Sequence, residues 1–456
     1  MFIEKVRSEG LAHISYFLES NGEAAVIDPR RDVDEYLELS RSRGARIVLV
    51  LETHRNEDYV SGALELANAT GAGIYHGGQL EFGYGNPLND GQDFVLGDLK
   101  ITALHTPGHT YESHSYLVAD KRGPFMLFSG DTMLSGDVGR TDLAGPEHIR
   151  ELTEMLYETL QRRVLPLGKD IMVLPAHGAG SVCGHAISDR ETTTIGLEVR
   201  DNRALALSRM DFVMGKMAEV MEKPPYFERM EALNLHGPII LGSLPIPPPM
   251  KPKQVRESQE GGSLVLDLRE PHSYAAAHIP RSLNVWLEGL AVYGGYVIPY
   301  GRPLVLVGES PEHVRIAVRY LVRLGYEDVI GQLRHGMEAW IKGGHPLSSL
   351  PAYSVQEIRA KQLTGVDMLL VDLRDRRELE DGVIPGAKVL HLGELLKRSS
   401  ELPADRELVL FCGSGYQGGI AASLLRNSGI KNVGIMLGGF MAWERNDFPA
   451  EKFKNE

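Results

Sequence analysis

ETHRNEDYVSG, residues 52 to 62, is the stretch that decides how the N-terminal half of this chain is interpreted. His54 is followed at short spacing by Asp58, as in a cluster of metal ligands on a loop. Asn56 and Tyr59 stand where a fuller cluster would carry two further imidazoles. The stretch therefore predicts a metal site with fewer histidines than such a cluster can hold.

Three later segments place a histidine or an aspartate at the end of a strand-like apolar run. They are TPGHT with His109, SGDT with Asp131 and PAHG with His177. Imidazole nitrogen and carboxylate oxygen suit zinc or ferrous iron. A single histidine of this kind is more commonly a hydrogen-bonded loop residue. Because four segments repeat the pattern, and because α/β folds commonly place their chemistry at strand ends, the sequence predicts one metal site.

The C-terminal half contains a tandem duplication. SLVLDLRE at 263–270 returns as MLLVDLRD at 368–375, and GMEAWIKGGHP at 336–346 returns as GFMAWERNDFP at 439–449. Each copy has about 100 residues, a typical domain size. Short apolar runs alternate with helical patterns in each copy, which is typical of a parallel sheet with crossover helices.

The fold class predicted from these patterns is an α/β multidomain protein. Its first part, residues 1–242, carries most of the histidines and ends in a helical appendage. A proline-rich linker at 243–253 comes next, because consecutive prolines prevent helix and remove sheet donors. Two α/β domains with parallel sheets are predicted at 254–349 and 352–456.

Composition excludes several classes of partner. The formal charge of −13 argues against nucleic acid or an anionic membrane surface, since both require basic patches. No apolar run reaches the roughly 18 residues that span a bilayer. The chain has only two cysteines, Cys183 and Cys412, so a disulfide framework is not expected. A cytoplasmic location is therefore expected.

ETHRNEDYVSG, TPGHT, SGDT and PAHGAGS together resemble the successive motifs of the metallo-β-lactamase fold. The order of the motifs and the duplicated domains are most similar to the persulfide dioxygenases that are fused to two rhodanese domains. The resemblance implies an αββα sandwich followed by two rhodanese domains. It also implies one Fe(2+) per chain on His54, His109 and Asp131, with Zn2+ as the alternative. Such a 2-His-1-carboxylate set leaves coordination positions open.

The resemblance also assigns roles around the expected metal. Asp58 and His177 are expected to orient the ligands, or else to form a second metal site, and Asn56 to orient a ligand or a water. Tyr59 is expected either to pack against its neighbours or to donate a hydrogen bond to bound oxygen. Arg140 is expected either to bind substrate or to form a loop ion pair with Asp142. Cys183 is expected to be either a buried thiol with no chemical role or a thiol that contacts substrate sulfur.

Cys412 ends the apolar run ELVLF and opens the loop CGSGYQGG. Backbone N–H groups before a helix favour a thiolate, so the loop predicts a nucleophile with a lowered pKa. The loop resembles the active loop of rhodanese, but Gln417 stands where an arginine is common, which counts against thiosulfate as the preferred donor. Gly308 matches Cys412 in the first copy, so that copy is expected to have only a structural or docking role. The substrate-binding residues predicted in this loop are Gly413, Ser414, Gly415, Tyr416, Gln417 and Gly418.

The function that these observations favour is oxidation of a low-molecular-weight persulfide by dioxygen to sulfite, with sulfane sulfur moved by Cys412. Sulfite or thiosulfate is the expected partner in the transfer, and a homo-oligomer is expected. Two alternatives stay open at this point. One is zinc-dependent thioester hydrolysis of the glyoxalase II kind, and the other is a non-catalytic sulfur-carrier scaffold.

Overall fold

The computed structural model describes residues 1–219, 221 and 223–453. They form two compact units. The first contains Met1–Leu244 together with Val322–Gly325, and the second contains Pro245–Leu321 and the residues from Tyr326 onward. Each unit has hydrophobic cores of its own. The domain boundaries given by the sequence patterns stay a prediction.

The first unit begins with a mixed sheet of six strands. The strands are β1 (Phe2–Ser8), β2 (His13–Ser20), β3 (Glu23–Ile27), β4 (Arg46–Leu51), β5 (Gly73–Gly77) and β6 (Asn86–Leu88), with helices α1 (Asp34–Arg43) and α2 (Ala63–Thr70) between them. They lie side by side in chain order. The strands from β1 to β3 pair antiparallel, and those from β3 to β6 pair parallel.

A second mixed sheet of six strands follows. Its strands are β7 (Asp93–Leu96), β8 (Leu99–His105), β9 (His114–Asp120), β10 (Gly123–Gly130), β11 (Met172–Pro175) and β12 (Thr193–Thr194). They lie in reverse chain order, and each pair is antiparallel except the parallel pair β10–β11. The helices of this part are α3 (Ile149–Thr159), α4 (Ile195–Asp201), α5 (Arg209–Ala218) and α6 (Phe227–His236).

Apolar side chains of the two sheets meet in one buried core, which includes Tyr16 of β2 and Ile101 of β8. Since successive side chains of a strand point to opposite faces, each sheet has a second face to cover. Helices α1 and α2 pack on the outer face of the first sheet, and α3 and α5 pack on that of the second. The first unit is therefore an αββα sandwich, which confirms the fold class predicted for it.

The first repeat of the second unit is a five-stranded parallel sheet. Its elements are β13 (Pro249–Met250), α7 (Pro252–Glu260), β14 (Leu264–Asp267), α8 (Pro271–Ala276), β15 (Leu283–Asn284), α9 (Leu287–Val297), β16 (Leu304–Val307), α10 (Pro311–Arg323), β17 (Val329–Leu333) and α11 (Gly336–Lys342). The strand order is β13-β17-β16-β14-β15, and every pair is parallel.

The second repeat has the same topology. Its elements are β18 (Ala352–Tyr353), α12 (Val355–Leu363), β19 (Met368–Asp372), β20 (Lys388–Val389), β21 (Glu407–Phe411), α13 (Gln417–Asn427), β22 (Val433–Met436) and α14 (Gly439–Arg445). The order β18-β22-β21-β19-β20 reproduces that of the first repeat, again with parallel pairs only. This confirms the two parallel sheets that the duplication predicts.

A buried tryptophan occupies the same place in each repeat. The Trp340 indole N–H donates to the Pro346 carbonyl at 2.8 Å, and the Trp443 indole N–H donates to the Pro449 carbonyl at 2.9 Å. Both rings lie in the cores of their repeats. The shared contact explains why the tryptophan and the later proline both recur in the sequence.

The proline-rich segment ends inside the first parallel sheet. Pro249 and Met250 pair with Gln332 and Leu333 as a short edge strand. Proline is tolerated there because an edge strand leaves one row of N–H positions unused. Helix α7 then begins at Pro252, where a proline suits the first turn. The last residues of the predicted linker therefore belong to regular secondary structure.

Among the described residues, no helix is both long enough and apolar enough to cross a bilayer.

Candidate functional site

The loops that follow four strands of the first unit converge on one buried point. Asp58 and His54 lie between β4 and α2, His109 lies between β8 and β9, Asp131 directly follows β10, and His177 follows β11. Each of these residues is at most 2% exposed. The structure thus brings together the four segments that the sequence singles out.

Glu57 lies in the tightest group of these side chains. One ligand atom each of His54, Glu57, His109 and Asp131 lies within 4.8 Å of the others. His109 Nε2 is 3.4 Å from Glu57 Oε1 and 3.5 Å from Asp131 Oδ2. His54 Nε2 is 3.7 Å from Glu57 Oε2. The sequence motifs gave no role to Glu57, which is an acidic residue three positions after His54.

The remaining ring nitrogens of the two histidines are held by protein acceptors. His109 Nδ1 lies 2.9 Å from the Arg140 carbonyl oxygen, so Nδ1 carries the proton. His54 Nδ1 lies 2.9 Å from the Thr53 hydroxyl, which donates its own proton to Asp28. In the neutral form of each ring the single N–H is then on Nδ1, so Nε2 is the nitrogen available to a metal.

Three buried atoms of this group have no hydrogen-bond partner in the described part of the chain: His54 Nε2, His109 Nε2 and Glu57 Oε2. Buried polar atoms are rarely left in that condition. A divalent cation among them would satisfy all three, and a set of imidazoles and carboxylates suits zinc or ferrous iron. The residues present therefore fit a metal centre.

The pKa values of Glu57 and Asp131 describe ionised carboxylates among histidines. Burial raises the pKa of Glu57, but the imidazoles of His109 and His54 outweigh burial and bring that pKa to about 2. Burial also raises the pKa of Asp131, and His177, His109 and His54 together bring it below its usual range. Burial lowers the pKa of His54 to about 4. Both carboxylates are therefore ionised at neutral pH, as ligands of a cation must be.

His177 connects Asp131 with Asp58. Its Nδ1 lies 2.8 and 2.9 Å from the two oxygens of Asp131, and its Nε2 lies 3.1 Å from Asp58 Oδ2. Burial lowers the pKa of His177, but these carboxylates outweigh burial and raise that pKa well above its usual value. A ring bonded at both nitrogens favours the interpretation that His177 orients Asp131 over the interpretation that it binds a second metal.

Cys183 completes a second possible group of ligands with Asp58 and His177. Its thiol donates a hydrogen bond to Glu57 Oε1 at 3.4 Å. Burial raises the pKa of this thiol well above its usual value, so Cys183 is protonated at neutral pH. The structure places it against the candidate metal ligands, as a buried thiol.

Asn56 and Tyr59 both donate hydrogen bonds to backbone carbonyls. The Tyr59 ring packs on His13, with the ring centroids 4.0 Å apart, and its hydroxyl donates to the Asp28 carbonyl at 3.3 Å. Asn56 Nδ2 donates to the His54 carbonyl at 3.4 Å. Tyr59 therefore has a packing role in the structure. Asn56 bonds the backbone of the loop 52–62, which we call the metal-binding loop.

Arg140 is buried and bound to Asp142. Its Nε and Nη2 donate to the two oxygens of Asp142 at 2.6 and 2.8 Å, and Nη1 donates to the Val182 carbonyl at 3.1 Å. This is the loop ion pair that the sequence left open as the alternative to substrate binding. Through its carbonyl, Arg140 also fixes the ring of His109.

Asn234 on α6 ties the helical appendage to the metal-binding loop. Its Nδ2 donates to the carbonyls of Asn56 and Tyr59, both at 2.7 Å, and its Oδ1 accepts from the Ser61 N–H at 2.8 Å. The side chain is buried. Since one amide satisfies three backbone groups of the loop, α6 holds the loop in the conformation that presents His54 and Glu57. The sequence had no signal for this contact.

Cys412 lies at the carboxyl end of β21, and residues 412–416 lead into α13. Its Sγ accepts a hydrogen bond from the Gly415 N–H at 3.2 Å. Gly415 has φ of +89°, and a Cβ there would lie 2.7 Å from the Gly438 nitrogen, so only glycine fits. Ser414 and Gln417 supply further backbone donors, and Gly418 lies in the first turn of α13.

The first repeat supplies part of the surroundings of this loop. Gln417 Nε2 donates to the Tyr293 hydroxyl at 2.8 Å. The rings of Tyr416 and Trp286 lie 5.1 Å apart. Tyr293 lies on α9, and Trp286 directly precedes that helix. The repeat without a cysteine therefore positions two of the predicted substrate-binding residues.

The predicted pKa of Cys412 requires a correction. Burial raises the pKa of this thiol, and the Glu378 carboxylate adds to the increase. The backbone N–H groups of Gln417, Gly415 and Ser414 lower the pKa, but they do not cancel the effect of burial. The donors that the sequence predicts are therefore present, whereas the lowered pKa is wrong because burial outweighs them.

Replacing Glu378 by glutamine is expected to make Cys412 more reactive. A Cβ built on Gly413 would lie 3.0 Å from Glu378 Oε1, so this carboxylate is close to the loop. Removing its charge favours the thiolate, so the pKa of Cys412 should fall and alkylation by iodoacetamide at pH 7 should rise several-fold. Mass spectrometry of the Cys412 peptide across a pH series measures the midpoint. Glu380→Gln, in the same surface turn, is the matched control, and equal midpoints in both variants would contradict the expectation.

Gly308 occupies the matching position in the first repeat. It follows β16 directly, and only residues 308–310 separate that strand from α10. A Cβ on Gly308 would lie 2.9 Å from a methyl carbon of Val314. The loop is thus shorter than the Cys412 loop and lacks a thiol, which agrees with a non-catalytic first repeat.

Comparison with known proteins agrees with this architecture. Residues 9–177 match the family described as the metallo-beta-lactamase superfamily, and residues 251–342 and 354–446 each match the rhodanese-like domain. A metallo-beta-lactamase from Staphylococcus aureus subsp. aureus COL is a solved structure with a TM-score of 0.65 and 27% identity, and the match covers 73% of this chain and 99% of that one.

Two curated relatives match the two halves of the architecture. A sulfurtransferase from Allochromatium vinosum is 39% identical over 83 residues, which is 18% of this chain and 78% of that protein. A hydroxyacylglutathione hydrolase from Methylobacillus flagellatus is 26% identical over 237 residues, which is 50% of this chain and 85% of that protein. The chain therefore has a metallo-beta-lactamase domain followed by two rhodanese-like domains. This confirms the domain architecture that the sequence motifs predict.

Proposed function

We propose that this protein is an iron-dependent persulfide dioxygenase coupled to a sulfurtransferase. One observation carries the proposal: a buried pair of imidazoles with carboxylates stands in the same chain as a rhodanese-like loop that bears Cys412. In the reaction, one persulfide, one dioxygen and one water give one thiol, one sulfite and two protons. The outer sulfur is oxidised and dioxygen is reduced. When bound, ferrous iron supplies the activation of dioxygen that this chemistry needs.

The residues of the first unit hold and orient the centre. His54 and His109 present Nε2 because Thr53 and the Arg140 carbonyl occupy Nδ1. His177 holds Asp131 by a hydrogen bond to its carboxylate. The burial of all these side chains keeps bulk water from the pocket, which strengthens the electrostatic interactions inside it.

Cys412 would carry sulfane sulfur in a second reaction. Its thiolate attacks the outer sulfur of a donor, the sulfur–sulfur bond of the donor breaks, and the donor leaves as a thiol. A sulfite or a second thiol then attacks the Cys412 persulfide and takes that sulfur, which regenerates the thiolate. Gly415 N–H bonds the sulfur and stabilises its anionic form in both steps.

Hydrolysis of a thioester by zinc is the second candidate function, because a hydroxyacylglutathione hydrolase is among the relatives of this chain. The two candidates differ in metal and in oxygen demand. Protein purified without added metal and without air should contain about one iron per chain, as one such centre implies. It should consume oxygen and release sulfite when glutathione persulfide is added. Two tightly bound zinc ions with thioester hydrolysis, and no oxygen uptake after iron loading, would contradict the proposal.

A further inference from the structure

Glu57 is the member of the buried group to which the sequence gives no role. It is 1% exposed and lies three residues after His54 in the loop 52–62. Its Oε1 faces His109 Nε2 at 3.4 Å, and its Oε2 faces His54 Nε2 at 3.7 Å. Neither contact has the geometry of an ordinary hydrogen bond, and both Nε2 atoms are without a hydrogen-bond partner among the described residues.

In the described part of the chain, the ion-pair contacts of Glu57 are with His54 and His109, not with lysine or arginine. Oε2 has no hydrogen-bond partner in the same part of the chain, and Oε1 accepts one hydrogen bond, from the Cys183 thiol. An ionised carboxylate is costly to bury without a cation. The local contacts therefore leave a place for a positive charge between Glu57 and the two rings.

We propose that Glu57 is a metal ligand, so that the centre has four protein ligands: His54, Glu57, His109 and Asp131. This inference rests on the metal centre of the proposed function, but on no step of its oxygen chemistry. Glu57 occupies the part of the loop from which Asn56 is turned away, since the Asn56 amide bonds the His54 carbonyl. A carboxylate thus takes the place of the imidazole that the sequence pattern lacks.

Four protein ligands have a consequence for the choice of metal. Two carboxylates balance the charge of a divalent ion. Catalytic zinc sites use three protein ligands and keep the fourth position open, so four ligands would close a tetrahedral zinc site. An ion with six coordination positions, such as Fe(2+), keeps two positions open with the same four ligands. Glu57 as a ligand therefore favours the iron centre over the zinc hydrolase.

Titration of metal-free full-length protein with cobalt(II) tests this ligand directly. Isothermal titration calorimetry measures the affinity, and visible absorption reports the ligand set. Glu57→Gln removes the charge of the side chain and keeps its size. Replacing residues outside the ligand set already lowers metal affinity by about 10–100-fold, so the cobalt affinity of Glu57→Gln should fall by at least about 100-fold. The visible absorption spectrum should also change. Glu57→Asp should regain part of the affinity. Glu112→Gln is the matched control, because Glu112 is buried and bonds the Arg55 N–H of the same loop.

The outcomes separate this inference from the proposed function. If Glu57→Gln binds cobalt with wild-type affinity and spectrum, Glu57 is not a ligand, whatever the oxygen uptake of the iron protein. If Glu57→Gln loses affinity while the wild-type iron protein consumes no oxygen, the ligand stands and the dioxygenase proposal fails. If Glu57→Gln does not fold, as judged by circular dichroism, the comparison of Glu57→Asp with wild type decides, and an unchanged spectrum there overturns the inference.

Discussion

His109→Ala is expected to remove the metal and, with it, all oxygen uptake. The ring is fully buried, is fixed through Nδ1 by the Arg140 carbonyl, and presents Nε2 to two carboxylates. Alanine leaves those carboxylates facing each other with one imidazole fewer between them. Because replacing residues outside the ligand set already costs 10–100-fold in affinity, the iron content should fall below about one tenth of the wild-type content. Elemental analysis and an oxygen electrode with glutathione persulfide measure the two effects.

A matched control distinguishes ligand loss from general damage. His105→Ala removes a half-buried ring at the end of the same strand, β8, whose Nε2 bonds the Tyr111 carbonyl. Iron content and oxygen uptake should stay near wild type in this control. If His109→Ala keeps a full complement of iron, His109 is not a metal ligand. The proposed arrangement of ligands is then wrong.

Much of the fold could be predicted because it follows from local patterns. The apolar runs of the repeats, such as those before Asp267 and Asp372, are short and continuously apolar, as buried parallel strands are. The strand-end positions of His54, His109 and Asp131 follow from the same runs. Residues at the ends of neighbouring strands lie close together in any sheet of this kind.

The parts that could not be predicted depend on contacts between distant segments. Glu57 was missed because a loop has no side-chain period, so nothing in ETHRNEDYVSG tells which residues point inward. That direction is set by Asn234, which lies far along the chain and holds the loop backbone. The pKa of Cys412 was predicted with the wrong sign for a similar reason, since burial and Glu378 come from tertiary structure. Sequence motifs identify chemistry here, whereas the ligand count and the pKa come from packing.

The role of the first repeat illustrates the same limit of sequence patterns. The absence of a cysteine at Gly308 predicts a domain with no chemistry of its own. The structure adds that Tyr293 and Trp286 of this repeat contact Gln417 and Tyr416 of the Cys412 loop. These contacts connect residues that are more than 100 positions apart, and no local pattern encodes them. The duplication was retained in a form in which one copy supports the site of the other.

Cys412→Ser is expected to abolish sulfur transfer and to leave iron content and oxygen uptake near wild type. A serine hydroxyl ionises far less readily than a thiol and forms no persulfide, so the loop loses its nucleophile although its backbone N–H donors remain. Loss of a catalytic nucleophile commonly lowers turnover by orders of magnitude, so transfer should fall at least about 1,000-fold. Iron and oxygen uptake should be kept because Cys412 and the metal ligands lie in separate compact units. Cyanolysis or sulfite-dependent formation of thiosulfate measures transfer, and metal analysis with the oxygen electrode measures the rest.

The reciprocal variant makes the assignment decisive. Cys183→Ser removes the other thiol of the chain, which bonds Glu57 in the first unit. Because that thiol is fully buried and burial holds its pKa well above the usual value, it is a poor nucleophile, and Cys183→Ser should transfer sulfur at the wild-type rate. If transfer instead survives in Cys412→Ser and disappears in Cys183→Ser, the sulfur is carried in the first unit beside the metal. In that case the rhodanese-like loop, despite its geometry, has no part in the reaction.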